Sequence, residues 1–165
     1  MSDPYNLKRF VEAQNAGNPS TYHQALGEMT NGRKELHWIW YVLPQILLGD
    51  SQWSRDYAIK SLNEARAYLQ HDLLRSRYLD ISGAIRHQLC AVPTQIDPEY
   101  LMGSQSDVTK LISSATLFNA VAASSGDDEV ASVLQDILEF LSDREGVDVR
   151  GVKTLAWLKQ EGLNS

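Results

Sequence analysis

From Asp3 to Leu158 the apolar residues of this chain recur every three or four positions, punctuated by small polar residues and glycines. That spacing is the pattern of amphipathic helices, and it restricts the fold more than any other feature. Asp3-Pro4 reads as an N-cap followed by a first-turn proline, and Leu7, Phe10, Val11 and Gln14 keep helical spacing until Gly17. Tyr22, Ala25, Leu26 and Met29 predict a second, short helix ending near Gly32. Ser54 is expected to cap a long helix with Tyr57, Ala58, Leu62, Ala65 and Leu69 on one side. Asp72 opens another, striped by Leu74, Tyr78, Ile81, Ile85 and Leu89.

Residues 91 to 105, with Pro93, Pro98 and Gly103, read as the main irregular segment. Ser106 is expected to cap a helix to about Ser124, stopped by Gly126. Asp127 or Asp128 opens the next, which carries Val130, Val133, Leu134, Ile137, Leu138 and Leu141. The last runs from about Asp148 to Glu161, with Val152, Leu155 and Leu158 inward. No segment alternates like a half-buried strand, and helical patterns flank Asn31-Gly32. The expected architecture is all-α: one compact globular domain over residues 1–165, about seven helices, short loops and no β-sheet.

A chain of 165 residues buries roughly 70% of its unfolded surface and folds without a metal or disulfide. Its 15 cations and 21 carboxylates leave a net charge of -6. That argues against a broad nucleic-acid or anionic-membrane surface and still permits a small basic site. Cys90 is the only cysteine, which excludes an internal disulfide and a thiolate metal cluster. The N-terminus "MSDPYNLKRF" has no apolar signal core and no stretch approaches a membrane span, so the cytoplasm is the expected compartment.

No G-x-G-x-x-G, G-x-x-x-x-G-K-[ST] or G-x-S-x-G motif is present, and His23, His37, His71 and His87 make no compact metal spacing. No cofactor and no metal site is expected. Cys90 near His87 reads better as a small hydrophobe, and the acidic run at 127–129 as helix capping.

One stretch stands apart: "GRKELHWIWYVLPQ", Gly32 to Gln45. Placing Arg33 to Leu43 on a wheel at about 100° per residue puts Leu36, Trp38, Ile39, Val42 and Leu43 on one side. Arg33, Lys34, His37, Trp40 and Tyr41 fall on the other, and Pro44 breaks the helix. Two arrangements satisfy this pattern. Neighbours bury the helix on both sides and the cations snorkel outward, or the second side is the wall of a ligand site. In the second arrangement Trp40 and Tyr41 stack a planar group, Arg33 and Lys34 hold an anion, and His37 donates to it or shuttles a proton.

A second stretch, "SDVTKLISSATLF", begins its apolar stripe with polar residues. Asp107 and Lys110 pair at i, i+3, and Asp107 suits the positive end of the helix. The plain reading is an ion pair plus serines that let helices approach, with Ser114 free to bond the Lys110 carbonyl. The functional reading sets Asp107, Lys110, Ser113 and Ser114 opposite the Arg33/His37/Trp40 face across an interhelical cleft, with His37 and Asp107 as an acid/base pair.

The blocks "DPYNLKRFVEAQ", "GRKELHWIWYVLPQ", "SRDYAIKSLNEARAYLQHDLL" and "SDVTKLISSATLF" resemble, in order, those of the domain-of-unknown-function 1810 family. The resemblance runs from Asp3 to about Leu158 and implies one all-helical domain. It implies no activity and assigns no residue a role.

Three functions are compatible with these residues. The first is a site for a small anionic, nucleotide-like ligand; the second a non-enzymatic interaction or regulatory module using the Trp/Tyr face; the third a homodimer through that face. Aromatics mixed with Arg, Lys and His favour a compact charged ligand over a greasy partner helix.

Overall fold

In the computed structural model, residues 2–93 and 95–163 are described. Ten helices and no strand occur among them: α1 Lys8–Asn15, α2 Thr21–Asn31, α3 Ile39–Val42, α4 Gln52–Tyr57, α5 Leu62–Gln70, α6 Asp72–Cys90, α7 Pro98–Met102, α8 Gln105–Ser125, α9 Asp128–Glu145 and α10 Val152–Gln160. The all-α expectation holds; the expected helix count of about seven was low.

The extra elements have local causes. The helix expected from Ser54 onward is two helices. Ser51, not Ser54, caps α4, and Ser61 caps α5 by accepting from the Glu64 amide. Between them the chain leaves helical geometry and the Ile59 amide donates to the Gln45 carbonyl. The irregular segment hides α7, which Asp97 caps with Pro98 at its start. Ser104, not Ser106, caps α8. At the far end, α10 begins only at Val152, whose side chain is 81% exposed rather than inward, while Leu158 is fully buried.

Helix α8 is the axis. It packs against α9, α5, α7, α10 and α3, and α6 closes the core between α2 and α9. Contact on several sides covers α8 nearly all round from Leu111 through Ala122, with small polar Ser113, Ser114 and Thr116 buried among its apolar residues. Phe118 lies against Tyr68 and Tyr78, with ring centroids 5.2 and 4.9 Å away, and all three rings are buried. Burying a side chain of that size contributes about 1.5–3 kcal/mol. Arg9 ties α1 to the α4–α5 turn, donating to the Ala58 carbonyl and pairing with buried Glu64 at 2.6 Å. No helix among the described residues is long and apolar enough to cross a membrane.

Candidate functional site

Gly32, at φ 94°, ends α2 in the left-handed region. The wheel drawn over Arg33–Leu43 fails at this point: residues 33–38 form a non-helical strap, and only Ile39–Val42 is helical. The reason is a competing set of partners. One Glu28 carboxylate oxygen accepts from the Glu35 amide (2.8 Å), the Leu36 amide (3.1 Å) and Trp38 Nε1 (2.9 Å). The Lys34 amide donates to the Leu101 carbonyl at 2.7 Å, lashing the strap to α7. Leu36, expected inside, is exposed; Trp38, Ile39, Val42 and Leu43 are buried as expected.

Gly103 permits the crossing. Its φ of +87° disfavours any side chain, and a Cβ there would stand 3.1 Å from the Lys34 carbonyl oxygen. The strap therefore lies directly on the α7–α8 junction.

Lys34, expected on the open face, turns inward and is 6% exposed. Its Nζ lies 2.8 Å from Asp107 Oδ2 and donates to the Leu36 carbonyl at 2.5 Å. Lys110 reaches the other oxygen of the same carboxylate at 3.3 Å, the expected i, i+3 pair, and donates to Ser106 Oγ at 3.3 Å. One carboxylate thus holds two ammonium groups. Asp107 also sits in the first turn of α8, whose leading amides have no intrahelical acceptor.

Around this pair opens a cleft of about 820 Å³. It brings together Arg33, Lys34, His37, Trp40, Asp107 and Lys110. Three cations with His37 beside them face two carboxylates, Glu35 and Asp107, so the cleft is locally positive in an acidic protein. Arg33 rests on the Tyr100 ring at 4.5 Å. Trp53 stacks on Trp40 with centroids 5.6 Å apart, and Lys110 Nζ lies 5.0 Å from the Trp40 centroid. A planar ligand cannot stack on Trp40 without displacing one of them.

Three of the expected site residues lie elsewhere. Tyr41 is buried against Tyr57, its centroid 5.2 Å away, and burial pushes its phenol up. Ser113 sits under the Gly151 backbone where α10 approaches α8. Ser114 is fully buried and shares a hydrogen bond with the Tyr78 hydroxyl at 2.8 Å rather than with the Lys110 carbonyl. Burial pushes the Tyr78 phenol far up.

Tyr100, Ser104, Ser106 and Trp53 belong to the site or its wall and were not expected there. The Asp97-Pro98 cap and the S-x-x-D spacing from Ser104 to Asp107 were legible signals for α7 and the α8 start.

An all-helical protein with a cationic cleft at a strap–helix junction is the class these features define. The chain belongs to the family described as proteins of unknown function, DUF1810, whose model matches residues 4–148. It is similar to the conserved hypothetical protein Rv1873 from Mycobacterium tuberculosis, known from a crystal structure. The two are 37% identical, the match covers 93% of this chain and 96% of that one, and the TM-score is 0.69. No curated protein matches the chain.

Proposed function

We propose that the cleft binds a small anionic, nucleotide-like ligand carrying phosphate or carboxylate. The observation that supports this most is the shared carboxylate: Asp107 holds Lys34 and Lys110 together, and among the described residues neither cation pairs with a second carboxylate. Two ammonium groups beside a helix N-terminus form an anion receptor, because Coulomb attraction and the positive end of the helix dipole act at one point. Tyr100 with Arg33, rather than Trp40, supplies the flat surface for a ring.

The acid/base reading narrows. Both Asp107 oxygens are engaged by lysines, so Asp107 positions cations, and His37 is the group left to donate to the ligand or carry a proton. Tryptophan fluorescence is the direct test, since Lys110 rests on Trp40 and any anion that draws it away alters that indole. Titration with nucleotides and sugar phosphates is expected to change the emission of the wild type and not that of Lys110→Ala. Unchanged emission with every compound would sink the proposal.

A second reading, a protein-interaction module, draws on Trp53, which is 50% exposed while stacked on Trp40. It requires a stoichiometric partner in a pull-down that Trp53→Ala abolishes.

A further inference from the structure

The cleft does not stop at Lys110. Trp40, Ser106 and Lys110 also form one side of a second hollow of about 480 Å³, on the side of α4 and the turn before it. Each lobe falls in the usual size range of a small-ligand pocket, and the three shared residues make them one bilobed groove with a waist.

The lobes differ in chemistry. The first carries Arg33, Lys34 and His37. The second has no cation beyond shared Lys110, and offers Asp50 with the hydroxyls of Ser51, Ser54 and Thr109. The Ser51 hydroxyl donates to Ser54 Oγ at 2.9 Å, which leaves the Ser54 proton to give. The Thr109 hydroxyl donates to the Gln105 carbonyl at 3.1 Å, which leaves its oxygen to accept. Gln45, in the same wall, is only 7% exposed. Its amide nitrogen is committed to the Leu43 carbonyl at 2.6 Å, and among the described residues nothing donates to its side-chain oxygen. That oxygen is open to a hydroxyl or amide proton from a ligand. Asp50 repels a second anion and accepts hydroxyls. A neutral polyol fits this lobe.

The waist settles the order of the groups. An ammonium has three protons to donate, and Lys110 spends two of them at 3.3 Å each. The third remains for a phosphate lodged between the lobes. On the far side, Tyr100 is 52% exposed under Arg33 and can take a flat ring.

Resting on the anion-site reading above, we infer that the ligand is two-armed, of the nucleoside diphosphate sugar class. Its phosphates lie at Lys110 and the start of α8, its base lies toward Tyr100, and its sugar lies among Asp50, Ser54, Thr109 and Gln45.

Isothermal titration of the full chain with UDP against UDP-glucose, and ADP against ADP-glucose, tests this. Each sugar-bearing compound should bind about tenfold tighter or more than its parent, the gain of two or three net hydrogen bonds. Asp50→Ala and Thr109→Val, both at exposed positions, should erase that difference, with thermal melts showing both variants folded. Parents that bind as tightly as their sugar derivatives overturn the two-armed ligand and leave the anion site standing. No binding by any of the four, or by inorganic pyrophosphate, removes the anion site and this inference with it.

Discussion

Lys34 Nζ and Asp107 Oδ2 meet at 2.8 Å, joining the strap after α2 to the first turn of α8, with both side chains largely out of water. Charges in that position interact strongly and are costly if separated. Asp107→Ala leaves Lys34 buried without its partner and removes the anchor of Lys110. The expected loss is about 3–5 kcal/mol in urea unfolding. Lys34→Met with Asp107→Leu should recover most of it while still abolishing anion binding. A double variant as unstable as Asp107→Ala would mean that the pair is not the strut described here.

Gly103→Ala tests the crossing of strap and helix. The left-handed backbone and the 3.1 Å approach to the Lys34 carbonyl both oppose a methyl group. A loss of about 1–3 kcal/mol in chemical denaturation is expected. Gly126, also at positive φ but with nothing near a Cβ, should lose less on the same change.

Ser114→Ala separates structure from binding. Its hydroxyl pairs with the buried Tyr78 hydroxyl, so removing it leaves a buried donor unsatisfied and should cost about 1–3 kcal/mol. Affinity for anions should not change. A drop in affinity without a drop in stability would return Ser114 to the site.

Lys110→Ala should weaken phosphate-bearing ligands about tenfold or more, the effect of losing one charged hydrogen bond. The remaining affinity should also depend less on salt, because one cation fewer faces the ligand. Calorimetry at two ionic strengths measures both.

Acid stability has a named contributor in Asp127. It caps α9 and takes two hydrogen bonds from Arg75 of α6, at 2.9 Å each, which together hold its carboxyl below the usual 3.8. A lowered folded-state pKa stabilises fully above the unfolded value, and the contribution disappears as pH falls through the lower one. Asn caps a helix as well as Asp, so Asp127→Asn should cost about 1 kcal/mol at neutral pH through the weakened pairing with Arg75, and flatten the stability curve below about pH 4. Arg75 also pairs with Glu129, so part of the α6–α9 link survives the change.

Much of the fold was legible because its causes are local. The stripes of α6 and α9, the stop at Gly126, the opening of α9 at Asp127 and the Asp107–Lys110 pair all depend on residues within a few positions. Spacing alone therefore determined that this chain is helical and which residues share a helix face. The strap was different. Nothing between Gly32 and Trp38 announces that Glu28 will take two of its amides, that Leu101 will accept a third, or that Gly103 will make room. Those partners lie off the wheel, and they turned Lys34 inward and Leu36 outward.

The same holds for the two serines. Ser113 and Ser114 share a helix with Asp107 and Lys110, but α10 and α6 cover them while the first turn of α8 stays open. Helix periodicity orders residues around an axis. Which of those faces meets a neighbour, and which is left as a hollow, was decided only when the helices packed, because burial belongs to the assembled chain and not to any single segment of it.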